Sequence, residues 1–457
     1  MKKNIDMLNG SIADKIVRFA LPLAITGLLQ QFFNAMDVAV VGKYAVDSEN
    51  AMAAVGCNAP VVGLMVNLFV GISLGANVVI SRFIGQQNEK GIRSAVHTSI
   101  LVSLICGVFM TLIGTYFSKD LLMLLKVPEN VLPMALKYIR IYLLGMPVIL
   151  LYNFEAAIFR SSGDTKSPLI CLSIAGIINI CLNLLFVRGF HMAAEGVAIA
   201  TVVSNLISSL LLFFKLIFSK TVISISFKEF KIDSKILLTI LKIGVPAGVQ
   251  GMVFSISNLC VQSAINELGS DIMAASSAAF NIEIFAYYII NAYGQACTTF
   301  IGQNYGAGKM DRCKKVIRAD LLQSIGVTIV MTAVILLAAR PLVRLFTDNP
   351  AIIEPARERI FFIVGFELVN VFMEIYSGAM RGFGFSLSPA IITLIGVCGI
   401  RIYWVFKYFP SHKSFTSLLM CYPISWILTA IGLVLCYYLY VKRKVFKITE
   451  TTDSYAI

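Results

Sequence analysis

Charge is scarce in this chain: Lys, Arg, Asp and Glu make up 14% of its 457 residues, whereas a soluble domain carries about a quarter. With 58% of the residues apolar, the shortage excludes a water-soluble fold. Histidine is rarer still. His97, His191 and His412 lie far apart in sequence, which excludes a His-based metal cluster. The ten cysteines have no CxxC or other ligand spacing and mostly fall inside apolar runs, so they read as reduced packing residues. No Walker motif is present. The stretch Gly302-Gln303-Asn304-Tyr305-Gly306-Ala307-Gly308 follows a span, not a strand, and reads as a turn without phosphate chemistry. No cofactor, ATP drive or nucleic-acid partner is therefore expected; the formal charge of +13 fits basic loops beside a membrane.

What the chain has in abundance is apolar runs of about 20 residues, enough to cross a bilayer as helices. The pattern predicts an all-α integral membrane protein with twelve spans, at 16–42, 52–80, 95–117, 131–158, 168–187, 194–217, 236–266, 273–299, 316–339, 359–379, 388–409 and 416–441. Asp6 and Asp14 precede the first run, and no small-residue cleavage site follows it, so a first transmembrane helix is expected there and not a removable signal. Most of the 38 basic residues fall in segments on the amino-terminal side of the membrane, with Arg357 and Arg359 among the minority on the other. This bias places both termini in the cytoplasm. The longest loop on that side, 218–235, reads as a linker between two lobes, 1–217 and 236–445, with room for an amphipathic interfacial helix; residues 446–457 form a tail.

The two lobes repeat one another. Pro22, Gly27 and Asn34 recur as Pro246, Gly251 and Asn258, and Met52-Ala53-Ala54 recurs as Met273-Ala274-Ala275. Phe83-Ile84-Gly85-Gln86 returns as Phe300-Ile301-Gly302-Gln303, and Arg160, Gly163, Ser167 and Pro168 return as Arg381, Gly384, Ser388 and Pro389. Collinear matches of this kind mark a duplicated six-helix unit. Because six is even, both copies enter the membrane in the same sense, giving pseudo-two-fold symmetry about the membrane normal. Such pairs work by alternating access.

An ionisable group within a span costs at least about 2.5–3.5 kcal/mol and asks for a reason. The candidates are Asp37, Glu155, Glu283, Glu367, Glu374 and Arg401. Five acids against one base favour cations. Asp37 shares a helical face with Gln30 and Asn34 and can carry a proton across; Pro22 removes a backbone hydrogen bond, so protonation can couple to a bend. Asn179 and Asn183, one turn apart, can offer amide oxygens to a cation or simply bond between helices. Thr201 can add a hydroxyl or bond its own backbone. Glu367, Asn370 and Glu374 share one face of the tenth span, and Glu283, Tyr287 and Gly294 one face of the eighth. Arg401 can neutralise one of these acids, and Glu155 can pair with Arg160 at an interface.

Several segments together resemble the multidrug and toxic compound extrusion (MATE) transporters, in particular the prokaryotic DNA-damage-inducible-type branch. They are ALPLAITGLLQQFFNAMDVAVVGKY with AMAAVG, GANVVISRFIGQ, FRSSGDTKSPLI followed by NICLN, GVAIAT, KIGVPAGVQ, TFIGQNYGAGK and MRGFGFSLSP. The resemblance covers roughly residues 12–445. It implies antiport, in which inward H+ or Na+ drives export of cationic or amphipathic compounds. It also implies a cation site at Asp37, Asn179, Asn183 and Thr201, with bending at Pro22. Asn183 stands where the branch usually has a second carboxylate, and Ser255, Asn258 and Gln262 stand where the other prokaryotic branch has an acid.

The resulting expectation is a monomeric plasma-membrane antiporter, not an enzyme, that handles small amphipathic cations in contact with lipid and uses Asp37 to exchange protons. Two alternatives stand beside it. A flippase for lipid-linked oligosaccharides would call for a cavity rich in Arg and Lys, and an integral membrane enzyme for clustered His, Asp or Cys near an interface.

Overall fold

In hydrocarbon every backbone N–H and C=O must be satisfied within its own segment, so long apolar runs become helices. The computed structural model of the protein describes residues 4–124, 127–219 and 221–445, which leaves the tail expected at 446–457 outside the described residues. Among the described residues no strand occurs. Helices α1 (Ala13–Tyr44), α2 (Ser48–Gly85) and α3 (Glu89–Leu124) precede a broken pair, α4 (Leu132–Leu144) and α5 (Met146–Ser161). Helix α6 (Lys166–Asn183) widens into a π turn over Leu184–Gly189, and α7 (Ala194–Phe218) ends the first half. The second half runs through α8 (Ser234–Asn266), α9 (Ser270–Gly306), α10 (Met310–Leu337), α11 (Ala339–Arg344), α12 (Pro350–Val364) and α13 (Glu367–Gly382). A π turn over Leu394–Gly399 joins α14 (Leu387–Thr393) to α15 (Ile400–Tyr403), and α16 (Phe415–Leu419) leads into α17 (Cys421–Cys436).

Among the described residues, eleven helical stretches are long and apolar enough to cross a membrane, and the α4–α5 pair, bent by 50°, makes a twelfth if it counts as one span. The bend has a local cause. Pro147, in the first turn of α5, has no N–H with which to continue the ladder of α4. Gly145 at the break lies so close to α7 that a Cβ there would stand 2.4 Å from Val202 Cγ2.

The chain forms two compact units. Of the described residues, one unit comprises those within 25–248 with residues 4 and 5; the other comprises those within 6–24 and 249–445. The first and eighth helices therefore each divide their length between the units, and each changes unit two residues after its internal proline, Pro22 or Pro246. Within the first unit, the start of α8 lies directly on α2. A Cβ at Gly71 would fall 2.1 Å from Gly248 N, and one at Gly75 would fall 2.3 Å from Ile240 O. Small residues permit this backbone-to-backbone approach. Within the second unit, the start of α1 packs on α9, where Phe19 meets Phe300 edge to face at 5.7 Å.

The segment between α7 and α8 contains one three-residue 3₁₀ turn, Phe227–Glu229, in place of the expected amphipathic helix. Polar contacts fix it to α3 instead. His97 Nε2 accepts from Ser226 N at 3.0 Å, and Arg93 pairs with Glu229 at 3.2 Å. In the second unit the residues ahead of α1 form a docked strap. Met7 is 1% exposed, and its carbonyl accepts from Asn304 Nδ2 and Arg312 Nε, each at 3.1 Å.

Candidate functional site

The first unit gathers four polar side chains from three helices. Asn179 and Asn183 are one turn apart on α6 and face the same way; Thr201 comes from α7 and Asp37 from α1. Asn183 Nδ2 donates to Asp37 Oδ1 at 2.6 Å and to Asn179 Oδ1 at 3.2 Å. Thr201 Oγ1 donates to Asp37 Oδ2 at 3.3 Å. Asp37 is 7% exposed, and among the described residues no basic side chain pairs with it. A buried carboxylate held only by neutral donors is unusual, because burial without a counter-charge opposes ionisation. Asn183 Oδ1 is buried without a hydrogen-bond partner, so an open acceptor lies beside the carboxylate.

Local features of α1 and α6 produce this closeness. Gly176, seven residues before Asn183, gives Phe33 of α1 room to lie against the α6 backbone. Directly after Asn183 the helix widens into its π turn, a distortion that frequently marks functional sites. Pro22 lies fifteen residues before Asp37 within the same continuous helix.

Apart from Glu155, the other charged candidates lie in the second unit, and here the arrangement departs from the expected one. Glu283 does pair with an arginine, but with Arg359 and not with Arg401. Arg359 Nη2 meets Glu283 Oε1 at 2.6 Å, its Nε meets Oε2 at 3.3 Å, and its Nη1 donates to Ser276 Oγ at 2.7 Å. Read as an outer-segment charge, Arg359 in fact lies on the buried stripe of α12 with Ile353, Ala356, Ile360 and Ile363. Arg401, completely buried, meets no acid among the described residues. It donates to Ser425 Oγ at 3.2 Å and to Asn258 Oδ1 at 3.0 Å. On α13, Asn370 Nδ2 donates to Glu367 Oε2 at 3.0 Å. Glu374 lies against Gly294 of α9, where a Cβ would stand 3.1 Å from its Oε2.

Glu155 also differs. It is fully buried and turned toward α7, where Ser209 donates to its Oε2 at 2.9 Å while Oε1 has no hydrogen-bond partner. No ion pair joins it to Arg160 among the described residues. One acid escaped the sequence reading altogether. Asp320 of α10 is fully buried beside the Cys297 thiol, and no N–H or O–H donates to either oxygen. Its position inside the ninth apolar run was the available signal, obscured by the basic cluster that ends at Arg318.

The sequence model of the MatE family matches residues 22–185 and 246–406. The chain is 27% identical to a probable multidrug resistance protein, YoeA, of Bacillus subtilis over 93% of each chain. It is likewise 27% identical to a probable multidrug resistance protein, NorM, of Thermotoga maritima, covering 87% of this chain and 86% of the relative. Among solved structures, a MATE protein in the bent conformation superposes with a TM-score of 0.88, covering 99% of this chain and 100% of the other at 22% identity. That likeness is one of fold.

Proposed function

The chain belongs to the MatE family, the multidrug and toxic compound extrusion transporters, and from that premise we propose that it is a secondary active antiporter in which proton entry through Asp37 drives efflux of cationic or amphipathic organic compounds by alternating access. The observation that carries the reading is the pairing of Asp37 with Asn183 at 2.6 Å, with no basic partner. A carboxylate needs donors, whereas a carboxylic acid needs one acceptor for its O–H. Asn183 serves both states. It donates Nδ2 to the ionised form, and by turning its amide it presents the unpartnered Oδ1 to the protonated form.

A proton fits this site more readily than Na+. A metal cation needs several converging oxygens, and here both Asp37 oxygens and Asn179 Oδ1 already accept from neutral donors. The loss of the second carboxylate at Asn183 supports the same preference, within a branch of DNA-damage-inducible type. The charge bias of the loops supports a plasma-membrane location with both termini cytoplasmic, and we take the working unit to be a monomer surrounded by lipid.

The test is ethidium efflux from proteoliposomes under an imposed pH gradient, with and without Na+. Asp37→Asn is expected to abolish gradient-driven efflux while leaving the yield of folded protein unchanged. Efflux that survives in this variant, or that follows the Na+ gradient alone, overturns the proton scheme.

A further inference from the structure

The second unit contains a buried cation that no acid among the described residues pairs with, on helices that correspond to those of the Asp37 site. Asn258 of α8 corresponds to Asn34 of α1 in the repeat. The offset that carries Arg160 onto Arg381 places Arg401 opposite Ile180, next to Asn179. Ser425 and Tyr422 come from α17, the counterpart of α7. A π turn again adjoins the key residue, over Leu394–Gly399 just before Arg401. The charge at the centre of the site, however, has the opposite sign.

The arginine is only partly satisfied. Nε reaches Ser425 and Nη1 reaches Asn258, but Nη2 is buried without a hydrogen-bond partner. The guanidinium lies 4.3 Å from the centre of the Tyr422 ring, with Phe254 and Trp426 farther off at 5.4 and 5.8 Å. One close aromatic face offsets only part of what a guanidinium loses on leaving water in mid-span. Glu283 offers no relief, because Arg359 takes both its oxygens and itself stands 5.7 Å from the Tyr422 ring. Two guanidinium groups, Arg401 at 4.3 Å and Arg359 at 5.7 Å, therefore stand near the Tyr422 ring, and Glu283 pairs with Arg359.

We propose that Arg401, Asn258 and Ser425 form an anion-binding subsite that takes the carboxylate, sulfonate or phosphate group of an aromatic or amphiphilic molecule. The fork of Nη1 and Nη2 matches two oxygens of such a group. Asn258 is the way in: it is exposed while Arg401 behind it is sealed. Turning its amide releases Nη1 and presents Nδ2 to the incoming oxygen. The ring faces of Tyr422 and Trp426 beside the guanidinium suit an aromatic body.

The chain has two tryptophans, Trp404 and Trp426, both close to Arg401 in sequence or space, so their emission reports on the subsite without any gradient. Full-length protein in phosphatidylcholine nanodiscs is titrated with 4-nitrobenzoate and with its uncharged analogue 4-nitrobenzamide, both contact quenchers. Saturable quenching by the acid and not the amide is expected. Arg401→Gln is expected to weaken it about tenfold or more, the loss of a charge-assisted hydrogen bond, and Arg401→Lys to fall between. Equal quenching by acid and amide, or unchanged affinity in Arg401→Gln, overturns the subsite. Should Arg401→Gln fail to fold, the acid–amide comparison in the unmodified chain and the Arg401→Lys titration still decide. Replacing part of the lipid by phosphatidylglycerol separates two sources of the same chemistry: a rightward shift of the titration identifies a lipid phosphate as occupant, and no shift identifies a soluble anion. Asp37→Asn is expected to bind 4-nitrobenzoate as the unmodified chain does, so a failure of proton-driven efflux and a failure of this site are read separately.

Discussion

The ring of Phe33 fills the space that a side chain at residue 176 would need: a Cβ on Gly176 would lie 1.8 Å from Phe33 Cζ. The contact sets how near α1 comes to α6 and hence how near Asp37 comes to Asn183. Gly176→Val forces the two helices apart. Overpacking of this kind costs about 1–3 kcal/mol, and here it also lengthens the Asp37–Asn183 hydrogen bond. Thermal unfolding in detergent is expected to show lower stability for Gly176→Val, and efflux is expected to fall with it. Adding Phe33→Ala is expected to restore part of the stability. A double variant whose loss equals the sum of the two single losses would rule out this steric coupling.

Asn183→Asp tests why the site carries one carboxylate. The two acid groups would stand within hydrogen-bond distance, and such a pair must share a proton or a cation. Acquired Na+ dependence of efflux is the expected outcome, read by titrating Na+ at fixed pH in proteoliposomes. If efflux stays indifferent to Na+ and as fast as before, the second charge plays no part in ion choice.

The spans, the duplication and the polar faces of α1 and α6 were legible because each depends on local periodicity: apolar length gives a helix, and a spacing of four residues gives a shared face. Pairing across helices was not legible. Arg359 looked like a loop charge because it stands near the end of an apolar run, yet the buried stripe of α12 carries it to Glu283. Arg401 looked like the natural partner for an acid because it was the single base deep in a span, yet its helix directs it to Asn258, Ser425 and an aromatic face. Glu155 was misplaced for the same reason. Sequence proximity to Arg160 suggested a pair, while helix rotation turned the carboxylate toward Ser209. Rotation about a helix axis is set by tertiary packing, which a single sequence does not encode locally.

The Glu283–Arg359 pair is expected to respond asymmetrically to substitution. Removing one member of a buried pair leaves the other charge uncompensated, at a cost of about 3–5 kcal/mol, while replacing both with apolar groups of similar volume is often neutral. Glu283→Leu and Arg359→Met should each lower the unfolding temperature markedly, and the double variant should recover much of the loss. Additive losses in this cycle would mean that the two side chains act independently despite their 2.6 Å separation.

The strap ahead of α1 provides the pH prediction. Asp6 Oδ1 accepts from the backbone N–H groups of Leu8 and Asn9, and Oδ2 accepts from Asn9 Nδ2. Burial acts to raise the Asp6 pKa, but these hydrogen bonds and the Lys15 charge outweigh it and hold the carboxyl below its ordinary value of 3.8. A group whose folded value is depressed contributes its stabilisation above the unfolded value and loses it as pH falls through the folded one. The turn that seats Met7 should therefore hold at pH above 3.8 and loosen below it. Hydrogen exchange at Leu8 and Asn9, corrected for the intrinsic pH dependence of exchange, is expected to lose protection in that acidic window while α10 keeps its own. In Asp6→Ala protection should be low at every pH. A strap equally protected on both sides of the window would mean that docking rests on Met7 burial and on the donors Asn304, Lys309 and Arg312 alone, with the carboxylate contributing nothing.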